Sequence, residues 1–187
     1  MAKRPPAELS RDAWTAAGLR ALGAGGIEGV RVEVLARALG VTKGSFYWHF
    51  ADRRALLTAM VERWEAVATT DIIAAVEARG GTGAERLRRL IALCFRGGDT
   101  DRVESALRRW GSGDDAVRPV LARMDAARLG YVTDLLVAAG HDPAAARARA
   151  RILYLAMIGE FAWTSHGGTP SPRRTLELLG ELLLGPA

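Results

Sequence analysis

Glycines and helix-capping side chains divide nearly the whole sequence into segments with helical periodicity. Between these breaks apolar residues recur three or four positions apart, and the alternation typical of strands is almost absent. The longest segment runs from Arg53 to about Arg79, where Gly80 and Gly81 stop it. A helix of that length extends roughly 40 Å. The chain is therefore predicted to be all-α, with nine helices.

Short polar side chains mark where these helices begin. A side-chain oxygen at such a position can accept hydrogen bonds from the free amides of the first turn. Thr82 followed by Glu85 is a capping box, and two further caps are followed by proline at the first helical position. The predicted starts are Ser10, Thr42, Asp52, Thr82, Asp114, Asp142 before Pro143, and Ser171 before Pro172.

Length and composition exclude several classes of protein. No apolar run in the 187 residues approaches the ~20 needed to cross a bilayer, so we expect a soluble, cytoplasmic protein with no membrane partner. Cys94 is the only cysteine, which excludes an internal disulfide and a zinc site built on paired cysteines. Residues 1–64 hold ten Lys/Arg against six Asp/Glu. This excess favours an anionic partner at the N-terminal end, although a merely well-solvated surface would show it too.

Residues 35–50, LARALGVTKGSFYWHF, join two helices that are too short to be stable alone. Ala36 is small where the two helices would cross, and Gly40 can adopt the left-handed conformation that ends a helix. Val41 can fill the angle between the two axes. This pattern indicates a helix-turn-helix, whose second helix enters the major groove of DNA.

Residues 26–57, GIEGVRVEVLARALGVTKGSFYWHFADRRALL, resemble the DNA-binding segment of the TetR family of bacterial transcriptional regulators. The resemblance implies a helix-turn-helix DNA-binding domain over 1–51 and an effector-binding and dimerisation domain over 52–187. It further implies a homodimeric repressor that binds a palindromic operator and is released by a small-molecule effector. A DNA-binding activator, or a DNA-binding protein without an effector, remains an alternative.

The aromatic residues of this segment are expected to divide between two roles. Phe46 and Phe50 share one helical face and should pack against Trp14 and Leu35. The other side should meet DNA, where Lys43 and Ser45 would reach base edges and the remaining residues the backbone. The DNA-binding residues implied by the family pattern are Arg31, Thr42, Lys43, Gly44, Ser45, Tyr47, Trp48, His49 and Arg53.

Two positions depart from the family pattern. Arg31 stands where a threonine or serine usually caps the second helix, so that cap is expected to be lost. Glu33 stands where a basic base-reading residue occurs in the family. A carboxylate there would either repel phosphates or accept a hydrogen bond from a cytosine amino group.

The later helices carry more large apolar groups than a minimal bundle needs, and these could line a cavity for a small, largely apolar effector. The residues predicted to line it are Trp64, Trp110, Met124, Tyr131, Tyr154, Met157 and Phe161. The alternative is that the same residues fill an ordinary core. Four polar residues could contribute, most of them expected to be exposed: Asp125, Arg128, Glu160 and His166.

The last two helices are predicted to form the dimer interface. Each carries an apolar face, and two such helices from each subunit would make a four-helix contact. The residues predicted to form it are Ile152, Ala156, Gly159, Trp163, Leu176, Leu179 and Leu183. Leu178 and Leu182 make the apolar surface of the last helix too wide for one contact.

No catalytic constellation is evident in the sequence. The three histidines are far apart, and neither an H-x-x-x-H pair nor a phosphate-cradling glycine loop is present. Cys94 lies between Leu93 and Phe95 and is expected to be buried rather than reactive. We therefore predict no enzyme activity, no cofactor and no metal.

Overall fold

A computed structural model describes residues 10–185. Over this range the chain forms nine helices and no strands, which confirms the all-α prediction. The predicted domains 1–51 and 52–187 include residues 1–9 and 186–187, which lie outside the described residues. No helix between residues 10 and 185 combines the length and apolarity needed to span a bilayer.

The first three helices are α1 (Arg11–Gly29), α2 (Val32–Leu39) and α3 (Lys43–Tyr47). Helix α4 consists of three consecutive segments, Arg53–Glu65, the π-helical turn Ala66–Thr70, and Asp71–Glu77. The remaining helices are α5 (Gly83–Cys94), α6 (Asp99–Ser112), α7 (Arg118–Ala138), α8 (Pro143–Ser165) and α9 (Arg173–Leu184).

Most of the predicted caps are confirmed. The side chains of Ser10, Asp52 and Asp142 accept hydrogen bonds from first-turn amides, and Thr82 and Glu85 form the reciprocal capping box. Gly40 ends α2 with φ of 70°, in the left-handed region that glycine reaches without strain.

Three of the predicted starts need correction. Thr42 occupies the N-cap position of α3, but its side chain accepts no capping hydrogen bond. The Asp114 carboxylate accepts from the amides of Ala116 and Val117, so it stabilises a turn that precedes α7. Ser171 does not cap α9, because its amide and hydroxyl donate to the carboxylate of Glu160 at 2.7 and 2.8 Å.

Two apolar cores organise the fold. The first core is formed by helices α1, α2, α3, α4 and α6 and by the start of α7. Its fully buried members include Trp14, Phe46, Leu56 and Leu107. Helices α1 and α6 approach closely, since a Cβ at Gly23 would lie 3.0 Å from Val103 Cγ2. The second core joins the end of α4 with α5, α7, α8 and α9. Because the first core includes residues on both sides of position 51, the helix-turn-helix is packed rigidly onto the helices that follow it.

Candidate DNA-binding surface and effector cavity

Helix α3 is anchored by one aromatic face. Phe46 is fully buried and meets Trp14 edge to face, with 5.3 Å between ring centroids, while Phe50 stacks on it at 5.4 Å. Leu35 belongs to the same core. The guanidinium of Arg11 lies 4.4 Å from the Phe50 ring centroid and donates to the carbonyl of His49 at 2.9 Å. The predicted packing of Phe46 and Phe50 is confirmed, and it fixes which side of α3 faces outward.

The opposite side of α3 is open to solvent. Tyr47 is 56% exposed and Trp48 is 88% exposed, although both are large aromatic side chains. Lys43 and Gly44 are exposed, and Ser45 is half-buried. Large aromatic side chains that are exposed to solvent are typical of a surface that contacts a partner.

Lys43 is already paired in the free protein. Its Nζ donates to Glu33 Oε1 at 2.5 Å. Glu33, which departs from the family pattern, therefore binds the lysine that is predicted to read a base. This hydrogen bond from Lys43 lowers the pKa of Glu33 below its ordinary value. Both side chains are exposed, and the pair partly neutralises the centre of the surface.

Arg53 and Arg31 flank this surface. Arg53, the first residue of α4, donates through Nε to the carbonyl of Val30 at 2.7 Å and through Nη2 to that of Ile27 at 2.8 Å. These bonds join the start of α4 to the link between α1 and α2. Arg31 is exposed at the N-cap of α2 and makes no side-chain capping bond, so the predicted loss of that cap is confirmed.

A cavity of about 290 Å³ lies among α4, α5, α6, α7 and α8. Its walls are mainly apolar, and its lining includes five residues predicted from the sequence: Trp64, Tyr131, Tyr154, Met157 and Phe161. The prediction is wrong for Met124, which is buried in the first core. It is also wrong for Trp110, which faces a separate groove beside the start of α4 and donates to Asp114 at 2.9 Å. Trp110 lies near the end of α6 and Met124 in the first part of α7, whereas the cavity is lined by the first turns of α6 and by α7 from Arg128 onward.

One wall of the cavity is a buried ionic network centred on Glu104. The Glu104 carboxylate is 1% exposed and accepts from the Trp64 indole at 2.6 Å, from Arg108 Nε at 2.9 Å and from Arg128 Nη1 at 2.9 Å. Arg108 also binds Asp125 and the Tyr154 hydroxyl. Burial opposes ionisation of Glu104, but the two guanidinium groups outweigh it, so the pKa of Glu104 lies below its ordinary value.

The same network holds the π-helical turn of α4. Arg128 donates through Nε to Thr69 Oγ1 at 3.0 Å and through Nη2 to the Ala68 carbonyl at 3.2 Å. A π turn leaves helical hydrogen bonding irregular, and such turns occur frequently at functional sites. Arg128 therefore links the cavity wall to the one irregular segment of the long helix.

The expectation that most of the polar candidates are exposed is wrong for three of them. Arg128 lines the cavity, Asp125 is half-buried beside Arg108, and Glu160 is buried against Ser171. Only His166 is exposed. Cys94 lines the cavity, and burial raises the pKa of its thiol to about 11, as expected for an unreactive cysteine.

Comparison with known proteins identifies the family that the N-terminal segment matches. The family model for bacterial regulatory proteins of the tetR family matches residues 15–60. The tetracycline repressor protein class C of Escherichia coli is 42% identical over 55 residues, which are 29% of this chain and 25% of that repressor. Residues 15–60 therefore carry the DNA-binding helix-turn-helix of the TetR family.

Solved structures show the same fold over nearly the whole chain. A TetR-family transcriptional regulator from Rhodococcus sp. has a TM-score of 0.76 at 24% identity, covering 94% of this chain and 98% of the other. A TetR-family member from Streptomyces coelicolor has a TM-score of 0.66 at 26% identity, covering 95% and 98%. A transcriptional regulator from Saccharomonospora viridis in complex with choline has a TM-score of 0.74 at 17% identity, covering 92% of each chain.

The last two helices leave apolar side chains uncovered. On α8, Ile152 and Trp163 are more than half exposed and Gly159 is exposed, while Ala156 is half-buried. On α9 the prediction is wrong for Leu183, which is buried in the second core. Leu176 and Leu179 are half-buried and pack on that core.

The exposed apolar residues of this region define what we call the outer face: Ile152, Leu155, Gly159, Trp163, Leu178 and Leu182. Helix α9 lies against α5 through its other side, where a Cβ at Gly180 would be 3.8 Å from Ile91 Cδ1. The sequence showed that both sides of α9 are apolar, but its periodicity does not distinguish the side that packs inward.

Proposed function

We propose that this TetR-family regulator is a homodimeric repressor that binds a palindromic operator and is released by a small-molecule effector. The observation that carries the proposal is the course of α4. Its first residue, Arg53, is bound to the helix-turn-helix, and its segment from Trp64 to Ile73 forms one wall of the cavity. A change at the cavity therefore has a direct mechanical connection to the DNA-binding surface.

An effector would act through the contacts that hold α4 in its present position. It would compete with the bond from Trp64 to Glu104 or with the grip of Arg128 on the π turn. Loss of either contact favours a shifted α4, which would move the two helix-turn-helix units out of register with successive major grooves. The coupling needed is modest, typically about 1 to 3 kcal/mol between effector and operator.

The solvent-facing side of α3 supplies the proposed DNA contacts. Lys43 and Ser45 would reach base edges, and Gly44 would allow close approach to the groove. Tyr47, Trp48 and His49 would contact sugar and phosphate. The proposal also includes Arg31, Thr42 and Arg53, all of which are exposed. Two of the five N–H groups of Arg53 donate to carbonyls, and the other three have no acceptor among residues 10–185.

The outer face supports the proposed homodimer. Five large apolar side chains on two adjacent helices would be exposed in a monomer, and a two-fold interface would cover them. Pairing through α8 and α9 would also supply two reading helices. Two half-sites, centred about 34 to 36 Å or a multiple of that apart, multiply the specificity of one short helix.

A small-molecule effector agrees with the size and enclosure of the cavity. The regulator from Saccharomonospora viridis, which shares the fold, was solved with choline. Together these observations favour a compact effector that enters the second core, rather than a peptide or protein that binds at the surface.

The test is operator binding with and without a cavity ligand. A duplex selected from a random library would be titrated with protein while fluorescence anisotropy is recorded, first alone and then with each compound that calorimetry shows to bind. We expect bound compounds to weaken the complex at least fivefold. If operator affinity is unchanged by every compound that binds, the release mechanism is wrong, and a transcription reporter would then distinguish an activator from a repressor without effector.

Substitution of the reading helix should separate base contacts from phosphate contacts. Lys43→Ala is expected to cost about 1 to 3 kcal/mol on the selected operator and to relax preference at one base position. Arg53→Ala should weaken all duplexes about equally and reduce the slope of log K against log salt by about one. Anisotropy titrations across salt concentrations check both variants, and identical behaviour of the two would contradict this division of roles.

The Glu33 pair gives a further prediction about charge at the interface. Glu33→Gln removes the carboxylate that holds Lys43 and that would lie near phosphates, so we expect affinity for every duplex to rise and the salt slope to steepen by about one. The same titrations measure it, with Glu62→Gln, an exposed carboxylate on α4, as the control. A selective loss of affinity for the selected operator alone would instead show that Glu33 reads a cytosine.

A further inference from the structure

The cavity contains a second charged feature, separate from the ionic network around Glu104. Asp101, in the first turn of α6, lines the cavity and is 1% exposed. Among residues 10–185, its carboxylate receives a hydrogen bond only from Thr164 Oγ1, at 2.7 Å. That hydroxyl has one proton and also lies 2.9 Å from the Glu160 carbonyl, the usual acceptor for a helical threonine.

No positive group forms an ion pair with this carboxylate within the described part of the chain, and the charge of the neighbouring Arg102 offsets its own only in part. Arg102 pairs with Asp99, while Arg108 and Arg128 bind Glu104 and Asp125. Glu160, another buried acid, accepts hydrogen bonds from the amide and hydroxyl of Ser171 and adds negative charge beside Asp101. Burial, with the Glu160 charge adding to it, raises the pKa of Asp101.

Asp101 and Glu104, three residues apart on α6, therefore differ in their need for a further partner. Around Glu104 and Arg128 each charged group is paired with one of opposite sign, so this part of the wall needs no charged ligand. Arg96 also borders the cavity, but it is exposed and hydrated by solvent. The Asp101 carboxylate has neither an opposite charge nor solvent beside it, and its one hydrogen-bond donor is shared. Burying such a carboxylate costs free energy unless it binds a cation or a proton.

We propose that the effector is a small apolar cation whose ammonium group binds Asp101. The inference rests on the proposed function in that it assigns the chemical class of the effector in this cavity. Aromatic rings of Phe95, Phe161 and Tyr154 border the same space and favour a cation over a neutral group. A volume of about 290 Å³ holds roughly ten non-hydrogen atoms, taking about 30 Å³ for each water-sized group.

Three probes of one length test the charge preference. Octylammonium, 1-octanol and octanoate each carry an eight-carbon chain and differ only in the polar end. Isothermal titration calorimetry at pH 7 on the full chain should show octylammonium binding at least about tenfold more tightly than either of the others, because only it forms a charge-assisted bond with the carboxylate.

The matched variants are Asp101→Asn and Asp99→Asn. Asp101→Asn should remove the preference for octylammonium, while its melting temperature stays equal to or above that of the wild type, because a buried unpaired carboxylate is removed. Asp99→Asn makes the same substitution two residues earlier at an exposed site and should leave binding unchanged. The wild-type ranking of the three probes stands even if a variant fails to fold.

Several outcomes would overturn the inference. Equal or tighter binding of octanol or octanoate, unchanged octylammonium binding in Asp101→Asn, or no binding of octylammonium at millimolar concentration would each do so. A neutral or anionic probe that binds and still releases the operator would refute the cation class while supporting effector release. A probe that binds without any effect on the operator would count against the proposed function alone.

Discussion

Glu104→Gln is expected to lower the free energy of unfolding by about 3 kcal/mol, which corresponds to a drop of about 6 to 12 °C in melting temperature for a chain of this size. The substitution keeps the shape of the side chain but removes its charge. Arg108 and Arg128 would then remain buried around a neutral amide. Two hydrogen bonds would lose their acceptor, either those from Arg108 and Arg128 to Oε1 or those from Trp64 and Arg128 to Oε2. Thermal and urea unfolding measure the loss.

Glu65→Gln is the matched control. Glu65 also loses an arginine partner, Arg123, with bonds of 2.7 and 2.8 Å, but this pair lies at the surface. Solvent screening limits such a pair to about 0 to 1 kcal/mol. Equal destabilisation by the two variants would contradict the view that burial makes the Glu104 network important.

The same network predicts how stability depends on pH. The folded-state pKa of Glu104 lies below its ordinary value, because the two guanidinium groups outweigh the opposing effect of burial. On acidification the unfolded chain therefore binds a proton first, so the contribution of Glu104 is complete above the unfolded pKa and is lost as pH falls through the folded one. The Glu104→Gln variant should therefore lose less stability on acidification than the wild type. The pH dependence that remains would come from other carboxyl groups whose pKa is lowered in the folded state, such as Asp125.

Leu182→Glu is expected to separate the proposed dimer and to reduce operator affinity roughly a hundredfold, because each half-site would then be bound without the effective concentration supplied by its partner. Leu182 is 66% exposed on the outer face, so the substitution should do little to the fold of one subunit. A two-fold interface brings both copies of the residue into the contact, where two unpaired carboxylates are costly. Size-exclusion chromatography with light scattering and anisotropy titration measure the two effects.

Val137→Glu is the control for surface charge. Val137 is 42% exposed on α7, outside the two helices that form the outer face, and the substitution introduces the same carboxylate. It should leave both the oligomeric state and operator affinity unchanged. If Leu182→Glu remains dimeric at micromolar concentration with full operator affinity, the outer face is not the interface.

Local signals determined much of this fold. Gly40, Thr82 with Glu85, and Asp142 act on the residues directly beside them, and such interactions can be recognised from sequence alone. The division of aromatics on α3 was predictable for the same reason, since Phe46 and Phe50 lie four residues apart on one helical face. Ser171 shows the limit of this reasoning, because its hydroxyl binds Glu160 on another helix instead of its own.

The residues that line the cavity could not be predicted from helical periodicity alone. Asp101, Glu104 and Arg108 read as a polar stripe of the kind that usually faces solvent, and only their approach to α4, α7 and α8 turns that stripe inward. The buried side of α9 was likewise undetermined, because Leu178 and Leu182 are as apolar as Leu183. The sequence by itself determined most helix boundaries and the helix-turn-helix motif, since caps and short motifs are local. The tertiary structure alone decided which charges are buried and which leucines are covered, because burial depends on neighbours that are distant along the chain.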